Sequence, residues 1–113
     1  MLIDFNDAQL LEYITMRVKE QGGNLSQLQR FFFCKFYKAI KEKGCFSDKY
    51  GTFYLAYSLT DFSKEFNLSI NPVRTYLDVL EQYGLLFRVP TRSSNTYNKY
   101  HNLTFISKEF IQE

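Results

Sequence analysis

The stretch NLSINPVRTYLDVLEQYGLLFRV, residues 67–89, decides how the chain is read. A polar start and a proline lead into a periodic apolar run, and a glycine then hands over to a segment that reads as a strand. Ser69 is a good N-cap, because its hydroxyl can accept from an orphan first-turn amide, and Pro72 falls where a missing N–H removes nothing. Val73, Tyr76, Leu77, Leu80 and Tyr83 recur at i, i+3, i+4, i+7 and i+10, which predicts a helix over 70–83 with Gly84 at C′. Outward near its start stay Ser69, Asn71, Arg74, Thr75 and Asp78.

Just upstream, Ser58 followed by Asp61 resembles a capping box for a short helix over 59–66, with Leu59, Phe62 and Phe66 as its apolar positions. NLS, 67–69, is then a tight connector. Two short helices joined this way, the second exposing small polar side chains and one arginine at its head, form the geometry that presents side chains to base edges in a major groove. Downstream, LLFRVPTR (85–92) alternates like a strand and SSNTYN is turn-rich. KYHNLTFI (99–106) alternates back, with Leu103 and Phe105 on one face, so a hairpin is expected. TFYLAY (52–57) reads as a further short strand. The expected fold is mainly α with a small β-sheet (α+β), a winged helix-turn-helix in the order α-α-β-α-α-β-β.

The first 49 residues supply the supporting helices. One is expected over 7–20, capped by Asn6, with Leu10, Leu11, Ile14 and Val18 inward and Gly22-Gly23 as its stop. A second runs from about Gln27 to Lys43, opened by Ser26 and closed by Gly44, with Leu28, Phe31, Phe32, Phe36, Ala39 and Ile40 as the inward stripe. Phe31-Phe32-Phe33 spans too wide an arc for one buried face. Either the surplus ring packs under the N-terminal helix, or it lies in a homodimer interface. The tail SKEFIQE suits one more helical turn, with Phe110 and Ile111 inward.

A length of 113 residues with 45% apolar side chains suits a single domain over 1–113, with the strand, helix-turn-helix and wing in 50–106. No apolar run approaches the ~20 residues of a membrane span, and MLIDFNDAQL lacks a signal-peptide layout, so a cytoplasmic protein is expected. Cys34 and Cys45 lack metal-ligand spacing and read as reduced thiols. Motifs for phosphate loops, zinc hydrolases and serine nucleophiles are missing, and His101 has no partner nearby in sequence; the reading is non-enzymatic, without cofactor or metal.

Net charge is only +2, so its distribution carries the weight. Lys35, Lys38 and Lys41 read as the wet side of the second helix. Residues 84–101 contain Arg88, Arg92 and Lys99 and no acid. The candidate DNA contacts are therefore Ser69, Asn71, Arg74 and Thr75 on the recognition helix, and Arg88, Arg92, Ser93, Asn95, Lys99 and Tyr100 on the wing. For the hairpin cations the plainer reading is charge that keeps a sheet edge from pairing. Tyr97, Tyr100 and His101 either donate to phosphates or pack on the strands. Asp78 and Glu81 oppose phosphate attraction by the helix.

The order YGTFYLAYSLTDFSKEFNLSINPVRTYLDVLEQYGLLFRV…NLTFI, within 50–106, resembles the N-terminal winged-helix domain of RepA-type plasmid replication initiators of Gram-positive bacteria, and NLSQLQRFFFCKFYKAIKEKG looks like that domain's second helix. The resemblance implies a homodimer on repeated duplex sites of a plasmid, with Ser69, Asn71, Arg74, Thr75 and the wing at the DNA. Phe87 and Pro90 depart from the family, whose wing base is more polar and contains glycine, and the family's further C-terminal domain has no counterpart in this sequence. That favours an accessory role at a replication or conjugative transfer origin. Alternatives are a transcriptional repressor, one sensing a small molecule included, and a winged-helix adaptor that binds other replication or transfer proteins without DNA.

Overall fold

The computed structural model describes residues 1–92 and 100–112. Four helices and a four-stranded antiparallel sheet follow in the order α1 (Asp7–Glu20), α2 (Gln27–Lys43), β1 (Cys45–Ser47), β2 (Thr52–Leu55), α3 (Leu59–Phe66), α4 (Ile70–Gln82), β3 (Leu86–Arg92) and β4 (Tyr100–Ile106). A 3-10 turn, Lys108–Phe110, ends the fold. The mixed α+β class is as expected, with one strand more than the sequence suggests.

Local chemistry sets the helix starts. Asn6 with Gln9, Ser26 with Gln29, and Ser58 with Asp61 each form a reciprocal capping box, so α1, α2 and α3 begin where side chains satisfy orphan amides. Their ends differ. Asn67 closes α3 in the left-handed conformation at φ 55°, a geometry that asparagine tolerates better than most residues. Gly84, at φ 75°, completes a Schellman motif after α4: its N–H donates to the Glu81 carbonyl at 2.9 Å, and Leu85 N–H donates to Leu80 at 3.0 Å. Gly44 follows α2 with an ordinary φ of −65°, so conformational freedom is not its role. A Cβ there would sit 2.5 Å from the Ile40 carbonyl oxygen, so glycine is required by close approach of backbone to backbone.

The core is organised around α2, which is buried over a wider arc than the expected stripe. Phe32 faces α3 and α4, with ring centroids 6.0 Å from Phe62, 5.2 Å from Phe66 and 5.6 Å from Tyr76. Phe33 and Tyr37 turn to the opposite flank and meet Phe110 of the terminal turn at 5.4 and 5.6 Å. Phe33 is therefore not a surplus ring. Leu28 and Phe31, expected inward, are instead 61% and 44% exposed: three residues apart, they share a face of α2 different from the one Phe32 buries against α3 and α4. Tyr13 and Arg17 of α1 both bond Glu109, holding the terminal turn against α1, and Ile111 leaves that turn to bridge Leu2.

Strand order in the sheet is β1-β2-β4-β3. The hairpin pairs Leu86 with Ile106 at one end and Arg92 with Tyr100 at the other. Leu86 and Ile106 enter the main core, whereas Phe105 is buried outside it, beneath an aromatic layer formed by Tyr50, Tyr54 and Phe87 at 4.7, 5.0 and 5.0 Å. Phe87 lies parallel to Phe105, so its place at the base of the hairpin is a packing role. β1, three residues long and paired on one side only, went unread in the sequence; the expected strand over 52–57 ends at Leu55. No helix among the described residues is long and apolar enough to cross a membrane.

Replacing Phe32 with Ala should lower stability by about 3–5 kcal/mol, since the cavity opens where three helices meet. Gly44→Ala should cost about 1–3 kcal/mol despite the favourable φ, because backbone must move. Urea unfolding followed by circular dichroism measures both; a neutral or stabilising Gly44→Ala would contradict the close-approach account.

Candidate nucleic-acid interface

The connector Asn67–Ser69 sets the head of α4 beyond the core. Leu68 N–H donates to the Ser63 carbonyl at 3.0 Å and the Ser63 hydroxyl donates to the Leu68 carbonyl, so the turn is tied back to α3 by its own backbone. Val73, Leu77 and Leu80 are buried and hold α4 along its length. Tyr76 is half-buried against Phe32.

Ser69, Asn71, Arg74 and Thr75 are all exposed at this head. Ser69 occupies the N-cap position, yet its side chain makes no capping bond, contrary to the expectation that its hydroxyl serves the first-turn amides. The hydroxyl is left toward solvent. Thr75 Oγ1 donates to the Asn71 carbonyl at 3.1 Å, a local bond along the helix. Arg74 has no carboxylate partner among the described residues. Ile70, which the apolar spacing would put in the inward stripe, is 40% exposed because the helix begins past the edge of the core. It joins the same surface and was missed in the sequence; the signal for it was only its position next to the cap.

The two acids of α4 are not free. Arg88 on β3 reaches across to both, with Nε 2.6 Å from Glu81 Oε1 and Nη2 2.6 Å from Asp78 Oδ1. Burial alone would lower the pKa of this guanidinium, and the hydrogen bonds it donates to Asp78 and Glu81 outweigh that and raise it. Two effects follow from one side chain. The acidic flank of α4 is reduced from two negative charges to a net of one within the fold, and the hairpin is tied to the helix at a second point beyond the Schellman turn. Arg88, expected at a phosphate, is thus committed internally.

The remaining hairpin residues divide into two groups. Arg92 and Tyr100 face each other as Cα partners in the last described pair of the hairpin. Ser93, Asn95, Tyr97 and Lys99 lie outside the described residues. Of the α2 lysines, Lys41 pairs with Asp4 at 2.6 Å, and Lys35 approaches the Phe66 carbonyl at 3.4 Å, near the negative end of α3. Cys34 is half-buried, with its thiol pushed up to about 11 by burial and then by Asp7; Cys45 is exposed, and both thiols are free. The described residues contain no cluster of three His, Cys, Asp or Glu side chains able to hold a metal ion.

A double-mutant cycle of Arg88→Met with Glu81→Gln should give a coupling of about 0.5–1 kcal/mol in urea unfolding, shrinking in molar salt as the half-exposed pair is screened. Additivity of the two substitutions at low salt would show that the ion pair does not hold the hairpin to α4.

No protein family, curated protein or solved structure matches the chain, so the reading of this surface rests on its own residues.

Proposed function

We propose that the chain is a winged helix-turn-helix protein that binds a specific duplex DNA site without chemistry, as a homodimer. Its setting would be a replication or conjugative transfer origin of a plasmid or other mobile element, where it acts as an accessory or initiator. The observation that carries the reading is the head of α4: Ser69, Asn71, Arg74 and Thr75 are exposed side by side, while Asp78 and Glu81 of the same helix are both paired with Arg88, which offsets one of their two charges. Connectivity supports it as well. α3, a three-residue connector and α4 lie between β2 and the β3–β4 hairpin, whose second strand inserts between β2 and β3. A fold of this kind does not by itself assign an activity, so the chemistry of the exposed head must do so.

That chemistry suits base edges. Asn71 can bond both N6 and N7 on the major-groove edge of an adenine, Arg74 can fork onto a guanine, and Ser69 and Thr75 can donate or accept; Ile70 would cover a thymine methyl. The first-turn amides of α4, left without a cap by Ser69, can take a phosphate oxygen. Arg92 and Lys99 on the hairpin would supply backbone phosphate contacts. With a net charge of +2 and Arg88 committed, these contacts are few, so binding should depend on salt only shallowly.

Selection from a random duplex library at low salt should enrich one sequence, and Arg74→Ala should then cost about 1–3 kcal/mol and relax preference at one position. Arg92→Ala and Lys99→Ala should each weaken binding for all sequences and reduce the log-log salt slope by about one unit. No enrichment over input would overturn the DNA reading and favour an adaptor that binds protein alone.

A further inference from the structure

Exposed apolar side chains lie on both N-terminal helices, Met16 of α1 at 57% and Leu28 and Phe31 of α2 at 61% and 44%, and Met16 and Phe31 line one groove. Between the helices runs a shallow groove of about 490 Å³, with Glu12 and Met16 on the α1 wall and Arg30 and Phe31 on the α2 wall; half-buried Leu11 forms part of its floor. Isolated exposed apolar residues need no explanation, but a contiguous set along a groove marks a surface that is covered in use.

We infer that this α1–α2 groove is the interface through which two copies of the chain associate. Charge selects the occupant. The groove carries one acid, confined to the α1 wall, and one base, confined to the α2 wall. Glu12 has no ion pair among the described residues, and the only bond of the Arg30 guanidinium among them is donation to the Leu25 carbonyl at 3.2 Å. A two-fold axis running along the groove exchanges its walls, so it sets Glu12 of one copy against Arg30 of the other, twice, around a centre of Phe31 and Met16. A nucleic acid or a strongly charged peptide would find no matching net charge here. A second copy finds complement in sign.

The placement also separates the groove from α4. Phe31 and Phe32 are successive residues, about 100° apart around α2. Phe32 points to Tyr76 of α4, so Phe31 is directed away from it. No residue of α4 lines the groove, so association through Phe31 is centred on a different side of α2 from the one that packs on α4. The inference stands on the groove alone and does not depend on the DNA reading.

Sedimentation velocity of the full chain without DNA tests it. The wild-type protein should form dimers at concentrations below about 0.5 mM, the range expected of a specific interface. Phe31→Glu should remain monomeric across that range, with an unchanged thermal midpoint for the monomer because the side chain is exposed. Glu12→Arg and Arg30→Glu should each raise the dimer dissociation constant about five- to tenfold, and the double swap should restore it, since the attraction is rebuilt with its signs exchanged. If Phe31→Glu does not fold, the charge-swap set still decides. A monomeric wild type, a Phe31→Glu protein that associates like wild type, or a double swap that fails to restore association would each overturn the interface, whatever the outcome of the duplex selection.

Discussion

The structure depends on the ring of Phe32. It projects from α2 into the angle between α3 and α4 and touches Phe62, Phe66 and Tyr76, so one side chain ties three helices together. Edge-to-face contacts of this kind are directional as well as apolar, and they restrict how α3 and α4 can tilt against α2. Everything at the α4 head inherits its position from that junction. The three-residue connector tolerates this packing because Asn67 accepts the left-handed conformation.

A second constraint links α4 to the hairpin. The Schellman turn at Gly84 sends the chain directly into β3, with Leu85 and Leu86 both buried. Arg88, two residues further on, then returns to the helix it has just left and binds two of its carboxylates. The hairpin base is packed on its other side by the parallel rings of Phe87 and Phe105. A turn, an ion-pair pair and a stacked ring pair thus act within four residues of one another, which leaves the helix and hairpin little freedom to separate. The same arrangement decides how the charges of α4 are matched: Arg74 is presented without a carboxylate partner among the described residues, and the acids share Arg88.

How far the sequence could be read depended on the range of the interaction. The capping boxes at Asn6, Ser26 and Ser58 are exchanges between residues three apart, and each appears where its pattern stands. Ser69 carried the same signal, yet it makes no side-chain capping bond: its third helical position is Pro72, which has no backbone N–H for the hydroxyl to accept from. The α2 stripe was misjudged at both ends for a different reason. Phe33 and Tyr37 are packed against Phe110, more than seventy residues later, and Leu28 and Phe31, three residues apart on one face, stay exposed. Gly44 was recognised as a stop, but the reason for it, an approach to the Ile40 carbonyl, is visible only in three dimensions.

By itself the sequence determined the α+β class, four helices to within a residue or so, the hairpin, and the exposure of Ser69, Asn71, Arg74 and Thr75, because periodicity, caps and turn residues act locally. Tertiary structure alone decided the edge strand β1, whose three residues hold a strand only because β2 lies beside them. It also decided that Arg88 serves Asp78 and Glu81, and that Met16 and Phe31 line one groove. Those outcomes require residues far apart in the chain to meet, and a charge or an apolar ring carries no mark in the sequence of which neighbour it will find.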